Sequence, residues 1–222
     1  MVKPQPSLYP FGIRIDEPIG MLTDVIVALF CLYFFYDLNK RKIPGRAQLY
    51  LQYYFLVMGL ATFLGGVTGH GFLYALGFGW KLPGWTFGII SVALLERSAI
   101  AHARPLLKTP FRKFFLALNL VELSAVLMIT MNTLSFKWVG YHSVYGLFAI
   151  VTTFHGYTYY RTRDQGSLLI LGAVVVTSIA SIIFMYKLSI DTWFNSLDIS
   201  HTLLGMAAFM MYLGAISLHK SE

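Results

Sequence analysis

Seven predominantly apolar stretches, each about 20 residues long and so able to cross roughly 30 Å of hydrocarbon as a helix, recur along the chain with only short polar intervals between them. They fall at about residues 19–38, 49–76, 84–103, 112–133, 138–160, 167–187 and 194–217. In lipid every backbone N–H and C=O must find its partner inside the chain, so runs of this length are expected to be helices. The expected fold is therefore all-α: a polytopic membrane protein with a single seven-transmembrane-helix bundle over residues 19–217. An extracytoplasmic segment (residues 1–18) precedes it and a short cytoplasmic tail (residues 218–222) follows. Composition agrees, with 57% hydrophobic and 12% charged residues, where a soluble domain is about half apolar and a quarter charged. No separate soluble catalytic domain fits, so any chemistry sits among the helices or at their mouths.

The net charge of +7 does not point to nucleic acid, because Lys and Arg lie in clusters between the apolar runs and not along one face. Lys40, Arg41, Lys42, Arg46, Arg104, Lys108, Arg112, Lys113, Arg161, Arg163 and Lys220 fall on one side of a seven-span topology, against Lys3, Arg14, Lys81, Lys137 and Lys187 on the other. The positive-inside rule then puts the N-terminus outside and the C-terminus in the cytoplasm, with Trp80, Trp85, Trp138 and Trp193 as anchors at the outer boundary. The prolines at 4, 6, 10 and 18 do not read as a cleaved secretory signal. The single cysteine, Cys31, excludes an intramolecular disulfide. No internal repeat of the transporter kind is visible. Gly59, Gly65, Gly66, Gly69 and Gly71 surround His70 in the second run and allow a neighbouring helix to come close. They permit dimer packing equally, so the oligomeric state stays open.

Ionisable side chains within apolar runs are costly and therefore candidates for function. Glu17, Asp24, His70, His142, Asp198 and His201 all fall within about 10 Å of the outer surface at about 1.5 Å per residue. Glu96, Arg97 and Glu122 fall deeper or towards the cytoplasm, where Arg97 is expected to reach Glu122 as an ion pair. Asn195, Asp198 and His201 recur at i, i+3 on one helix face. Asp198 and His201, with His70 from the second run, form a three-ligand set for Zn²⁺ with a fourth position for water. Asp24 and His142 are the acid-base candidates, and Glu17 and Asn195 the supporting groups. A haem on His142 and His155 is disfavoured, since thirteen residues at about 100° each leave them about 140° apart. His102 is the other evident partner for His155. A retinal Schiff base finds no lysine within the last run, Lys220 lying beyond it.

The pattern resembles the CREST superfamily of seven-helix membrane proteins, which includes alkaline ceramidases and the progestin and adipoQ receptors. Of its E-x-x-N-x-x-[ST]-[NH] element, Glu17 and Thr23 match, Asp24 replaces the last residue and Gly20 departs. Of S-x-x-x-H, His70 matches and Gly66 stands at the serine. Of H-x-x-x-H, His201 matches and Leu197 occupies the first histidine. The acid that helps position water in ceramidase-like members has no counterpart between Asp37 and Glu96, and Lys81 lies about where it is expected. The resemblance implies a zinc-dependent hydrolase of a lipid amide or ester, with Asp198 or His142 completing the ligand set and Thr23 among the supporting groups. The alternative is a non-enzymatic lipid-binding or signalling protein in which Glu17, Asp24, His70 and His201 satisfy one another. A carrier using Glu96, Arg97 and Glu122 is a further option.

Overall fold

The computed structural model describes residues 5–218. Lys3, Lys220 and the tail beyond residue 218 lie outside the described residues. Helices account for almost all regular structure, the exception being an isolated antiparallel pairing of Leu8 with Ile15. The order is α1 (Pro18–Arg41), α2 (Arg46–Leu64), a π-helical continuation (Gly65–Gly71), α3 (Leu73–Leu76), α4 (Leu82–His102), α5 (Thr109–Thr133), α6 (Phe136–Val144), a second π-helical stretch (Tyr145–Val151), α7 (Thr152–Thr162), α8 (Gln165–Met185) and α9 (Ser196–Leu218).

Local chemistry sets these boundaries. Pro18 opens α1, where its missing N–H costs nothing. Asp164 caps α8 by accepting the amide of Ser167 at 2.8 Å. Lys42 and Gly45, both at positive φ, turn the chain from α1 into α2.

Six helical segments, Pro18–Arg41, Arg46–Gly71, Phe78–His102, Thr109–Thr133, Gln165–Met185 and Ser196–Leu218, are long and apolar enough to cross a membrane. The run expected at 138–160 is helical but divided into α6 and α7 by a π-helical turn, and it carries His142, Ser143, Thr152, Thr153 and His155 among its apolar residues. The second expected run, 49–76, is also interrupted, after Gly71.

The distribution of side chains is that of a bundle facing oil. α5 buries Asn119 and Thr130 while exposing Leu120, Val121, Met128 and Met131, the reverse of a helix facing water. Inside, Phe34 stacks on Tyr212 with ring centroids 4.4 Å apart and meets Phe55 edge-on, among fully buried Leu38, Leu51, Ile100 and Ile170. α8 and α9 approach until a Cβ on Gly166 would lie 2.7 Å from the backbone nitrogen of Leu218. At the opposite end from the α1–α2 turn, the start of α1, the end of α2 and the start of α9 meet, and most of the polar residues of the first group gather there.

Candidate metal centre

Asp24, His70 and His201 come from α1, the π-helical end of α2 and α9, and each offers a ligand atom within 4.8 Å of the other two. Asp24 Oδ1 lies 3.4 Å from His201 Nε2, and Asp24 Oδ2 lies 3.8 Å from His70 Nε2. These separations are longer than good hydrogen bonds. They are close to the roughly 3.4 Å that separates two ligand atoms of a tetrahedral ion with bonds of about 2.1 Å.

The far nitrogen of each ring is already held. His70 Nδ1 contacts Glu17 Oε2 at 2.5 Å. His201 Nδ1 lies 3.0 Å from Thr23 Oγ1, whose hydroxyl faces the carbonyls of Ile19 and Gly20 at 3.0 Å. Thr23 donates to the backbone and accepts from the imidazole, and Glu17, an acceptor when ionised, fixes His70 in the same sense. With Nδ1–H committed, each ring turns its Nε2 lone pair towards the buried carboxylate of Asp24. With both rings neutral and Asp24 ionised, two lone pairs and an anion converge with no donor between them, an arrangement that a bound cation stabilises. The carboxylate or hydroxyl behind each histidine is the customary support of a metal-binding imidazole.

Backbone geometry builds this corner. Glu17 stands at the N-cap of α1 with φ of 43°, a left-handed conformation that costs a non-glycine residue of order 1 kcal/mol or more and that clusters at functional sites. Gly66 lets α1 press against the end of α2: a Cβ there would sit 2.7 Å from Asp24 Cβ and 3.1 Å from the carbonyl of Met21. A side chain at this position would therefore push α1 and α2 apart. Lys81, placed where an acid was expected, packs near Gly69 and acts electrostatically on Glu17.

His70 and His201 are brought together as expected, but the third member of the group is Asp24. Asp198 is held otherwise. Its Oδ2 accepts the backbone amide of Asn195 at 2.8 Å and Gln5 Nε2 at 2.6 Å, a capping box that closes the start of α9. Asn195 in turn accepts the amide of Leu197. Oδ1 of Asp198 is buried and without a partner, and the residue is close enough to Asp24 and His70 to interact electrostatically with both. Gln5 carried no sequence signal. Besides Asp198 it reaches the carbonyl of Trp193, while its Oε1 accepts the amides of Ile19 and Gly20, tying the N-terminal segment across the mouth.

His142 does not join this centre. Its Nδ1 meets Glu122 at 2.7 Å and its Nε2 meets the carbonyl of Ile89 at 2.9 Å, so neither nitrogen is open to a haem or to the α1–α2–α9 corner. The expected Arg97–Glu122 pair does not form either. Arg97 Nε donates to Asn119 Oδ1 at 2.7 Å, one turn before Glu122 on α5, while Glu122 meets His142. His102 stacks on His155 with centroids 5.6 Å apart, His102 facing Asp164 and His155 facing Ser167.

The hydrogen bond from His70 holds the Glu17 carboxyl below its ordinary value. A depressed carboxyl stabilises the fold above its unfolded pKa and loses that contribution as pH falls through the lowered value. The difference in thermal midpoint between the metal-free wild type and Glu17→Gln is thus expected to be full at neutral pH and to shrink under acid, as followed by calorimetry in detergent. A difference that grows on acidification would mean that Glu17 is not held by His70.

The chain belongs to a family of unknown function, DUF6962, whose family model matches residues 19–220. No curated protein and no solved structure matches it.

Proposed function

We propose that this member of the DUF6962 family is a multi-pass integral membrane protein of the CREST type, N-terminus outside, in which Asp24, His70 and His201 hold Zn²⁺ and the bound site hydrolyses an amide or ester of a membrane lipid. The observation that carries the reading is the convergence of two tautomer-locked imidazoles on a buried carboxylate, at separations that suit one ion. A structural zinc site uses four protein ligands, whereas three protein ligands with an open position are the catalytic pattern. Zn²⁺ in such a site supplies a Lewis acid that activates water and polarises a carbonyl.

The chain's own groups do the rest. Glu17 and Thr23 orient the imidazoles and strengthen them as ligands. Asp198 Oδ1, buried and unpaired beside the centre, accepts the proton that an attacking water gives up. The lipid-facing apolar surfaces of α1 and α9, with Leu22, Leu29 and Met206 exposed, receive the acyl chains. A second reading, a lipid-binding or signalling protein without turnover, is favoured by the way Gln5 bridges α1 and α9 across the mouth.

Elemental analysis of the purified protein, combined with an assay for fatty acid released from an acyl amide and an acyl ester, tests this. The expected result is one zinc per chain, lost in His201→Ala, with release of fatty acid that stops when zinc is removed. Zinc without turnover selects the second reading. A metal content below about a tenth per chain, far under the stoichiometry of a three-ligand site, and unchanged in His201→Ala, overturns both the site and its chemistry.

A further inference from the structure

A second buried group lies on other helices: Glu96 of α4, Glu122 of α5 and His142 of α6, with one ligand atom of each within 4.8 Å of the others. Its spacing differs from that of the first centre. His142 Nδ1 lies 2.7 and 2.9 Å from the two oxygens of Glu122, the length of a charge-assisted hydrogen bond and shorter than the roughly 3.4 Å between two ligands of one tetrahedral ion. His142 Nε2 faces the carbonyl of Ile89 at 2.9 Å. Both ring nitrogens therefore face acceptors, while a neutral imidazole carries a single N–H. One more proton is needed between His142 and Glu122.

Glu96 faces the same place. It is fully buried; its Oε2 accepts from Asn119 Nδ2 at 2.9 Å, and its Oε1 has no partner. Asn119 is itself fixed by donating to the carbonyl of Ala93 and accepting from Arg97, so it holds the Glu96 carboxylate in place through Oε2. Gly146, at the π-helical turn after α6, leaves the room: a Cβ there would stand 2.6 Å from Glu96 Oε1. Such turns recur at functional positions. The charged and titratable groups facing His142 are Glu122 and Glu96, with Arg97 linked through Asn119 and with Tyr145 close enough to feel both carboxylates. With His142 protonated, the imidazolium balances Glu122 and Arg97 balances Glu96. Without that proton the group carries an excess negative charge inside the bundle, which a low-dielectric surrounding penalises.

We propose that Glu96, Glu122 and His142 form a proton-binding site inside the bundle, holding a proton on His142 Nδ1 against Glu122 and offering Glu96 Oε1 as the acceptor to which it passes. The transfer runs by way of Glu122: the Nδ1–H bond breaks as an O–H bond forms on Glu122, and that O–H breaks as one forms on Glu96, leaving a neutral imidazole with Nε2–H donating to the carbonyl of Ile89. No electrons change hands. The site is independent of the metal centre and stands whether or not that centre binds zinc.

The test uses the full chain, metal-free, in lipid nanodiscs with ¹⁵N-labelled histidine, the His142 signals being assigned by their loss in His142→Gln. At pH 8, where an ordinary histidine is neutral, both ring nitrogens of His142 are expected to carry protons. Glu122→Gln is expected to leave Nδ1 bare, with the other histidine signals unmoved as the check on folding. Glu96→Gln is expected to keep the imidazolium but to slow its exchange with solvent about a hundredfold or more, as the loss of a relay acceptor would. A His142 carrying one proton in the wild type at pH 8 overturns the site, a measurement that needs no variant to fold. Exchange unchanged in Glu96→Gln removes the relay. Zn²⁺ or Mn²⁺ displacing the His142 proton in the His70→Ala/His201→Ala protein would make this a metal site and overturn the proposal.

Discussion

Asp24→Ala is expected to weaken zinc binding by well over a hundredfold while raising the thermal midpoint of the metal-free protein. The two effects have opposite signs for one physical reason. Asp24 is 6% exposed, and its nearest polar neighbours in the centre are imidazole nitrogens at 3.4 and 3.8 Å, beyond a good hydrogen bond. A buried carboxylate in that position costs free energy until a cation arrives. Alanine removes the cost and keeps the Cβ that packs on Gly66. It also removes a ligand, a larger loss than the roughly 10–100-fold that follows removal of a supporting hydrogen bond.

Asp198→Ala is expected to do the reverse. Zinc affinity changes by less than about a hundredfold, within the range of a supporting group, while the start of α9 loses its capping box at about 1 kcal/mol. Competition against a chromophoric chelator, with calorimetry on the same samples, reads both quantities. If Asp198→Ala costs more affinity than Asp24→Ala, the third ligand belongs to α9 and the tautomer argument fails.

That contrast also marks what the sequence reveals. Apolar runs locate the helices, because lipid leaves the backbone no other way to satisfy itself. His70 and His201 are legible as partners because each is a lone imidazole near the same end of its run. Asp198 is misleading, since D-x-x-H suits a metal pair and N-x-x-D at a helix start suits a capping box, and the backbone amide of Asn195 wins the carboxylate. The residues that decide Arg97 and Glu122 are Asn119 and His142, and which helix faces meet is a matter of rotation that periodicity in a uniformly apolar run does not encode. α5 shows this directly: Asn119 and Thr130 point inward, yet the apolar residues around them are alike on every side. The sequence places His142 by its depth along a helix, whereas its partners are set by the neighbours it packs against.

Gly66→Ser is expected to damage this protein more than any other change at the corner that keeps all ligands. The added Cβ would lie 2.7 Å from Asp24 Cβ and 3.1 Å from the Met21 carbonyl. Real Cβ contacts do not close to that distance, and two of the atoms concerned belong to stiff parts of α1, so the helices must separate. Overpacking of this kind costs about 1–3 kcal/mol. Because Asp24 sits on the displaced wall, the carboxylate also withdraws from both imidazoles, and zinc affinity falls with stability. Gly65→Ala is the matched control. Its Cβ meets Asp24 Oδ2 at an ordinary 3.7 Å, and exchange of glycine for alanine at helical φ and ψ stabilises by about 0.4–1 kcal/mol through the unfolded chain. Neighbouring glycines in one sequence are thus expected to respond with opposite signs in thermal unfolding. Were Gly66→Ser to bind zinc like the wild type and melt no lower, α1 would not be seated against α2 at this point, and the position of Asp24 in the centre would have to be abandoned with it.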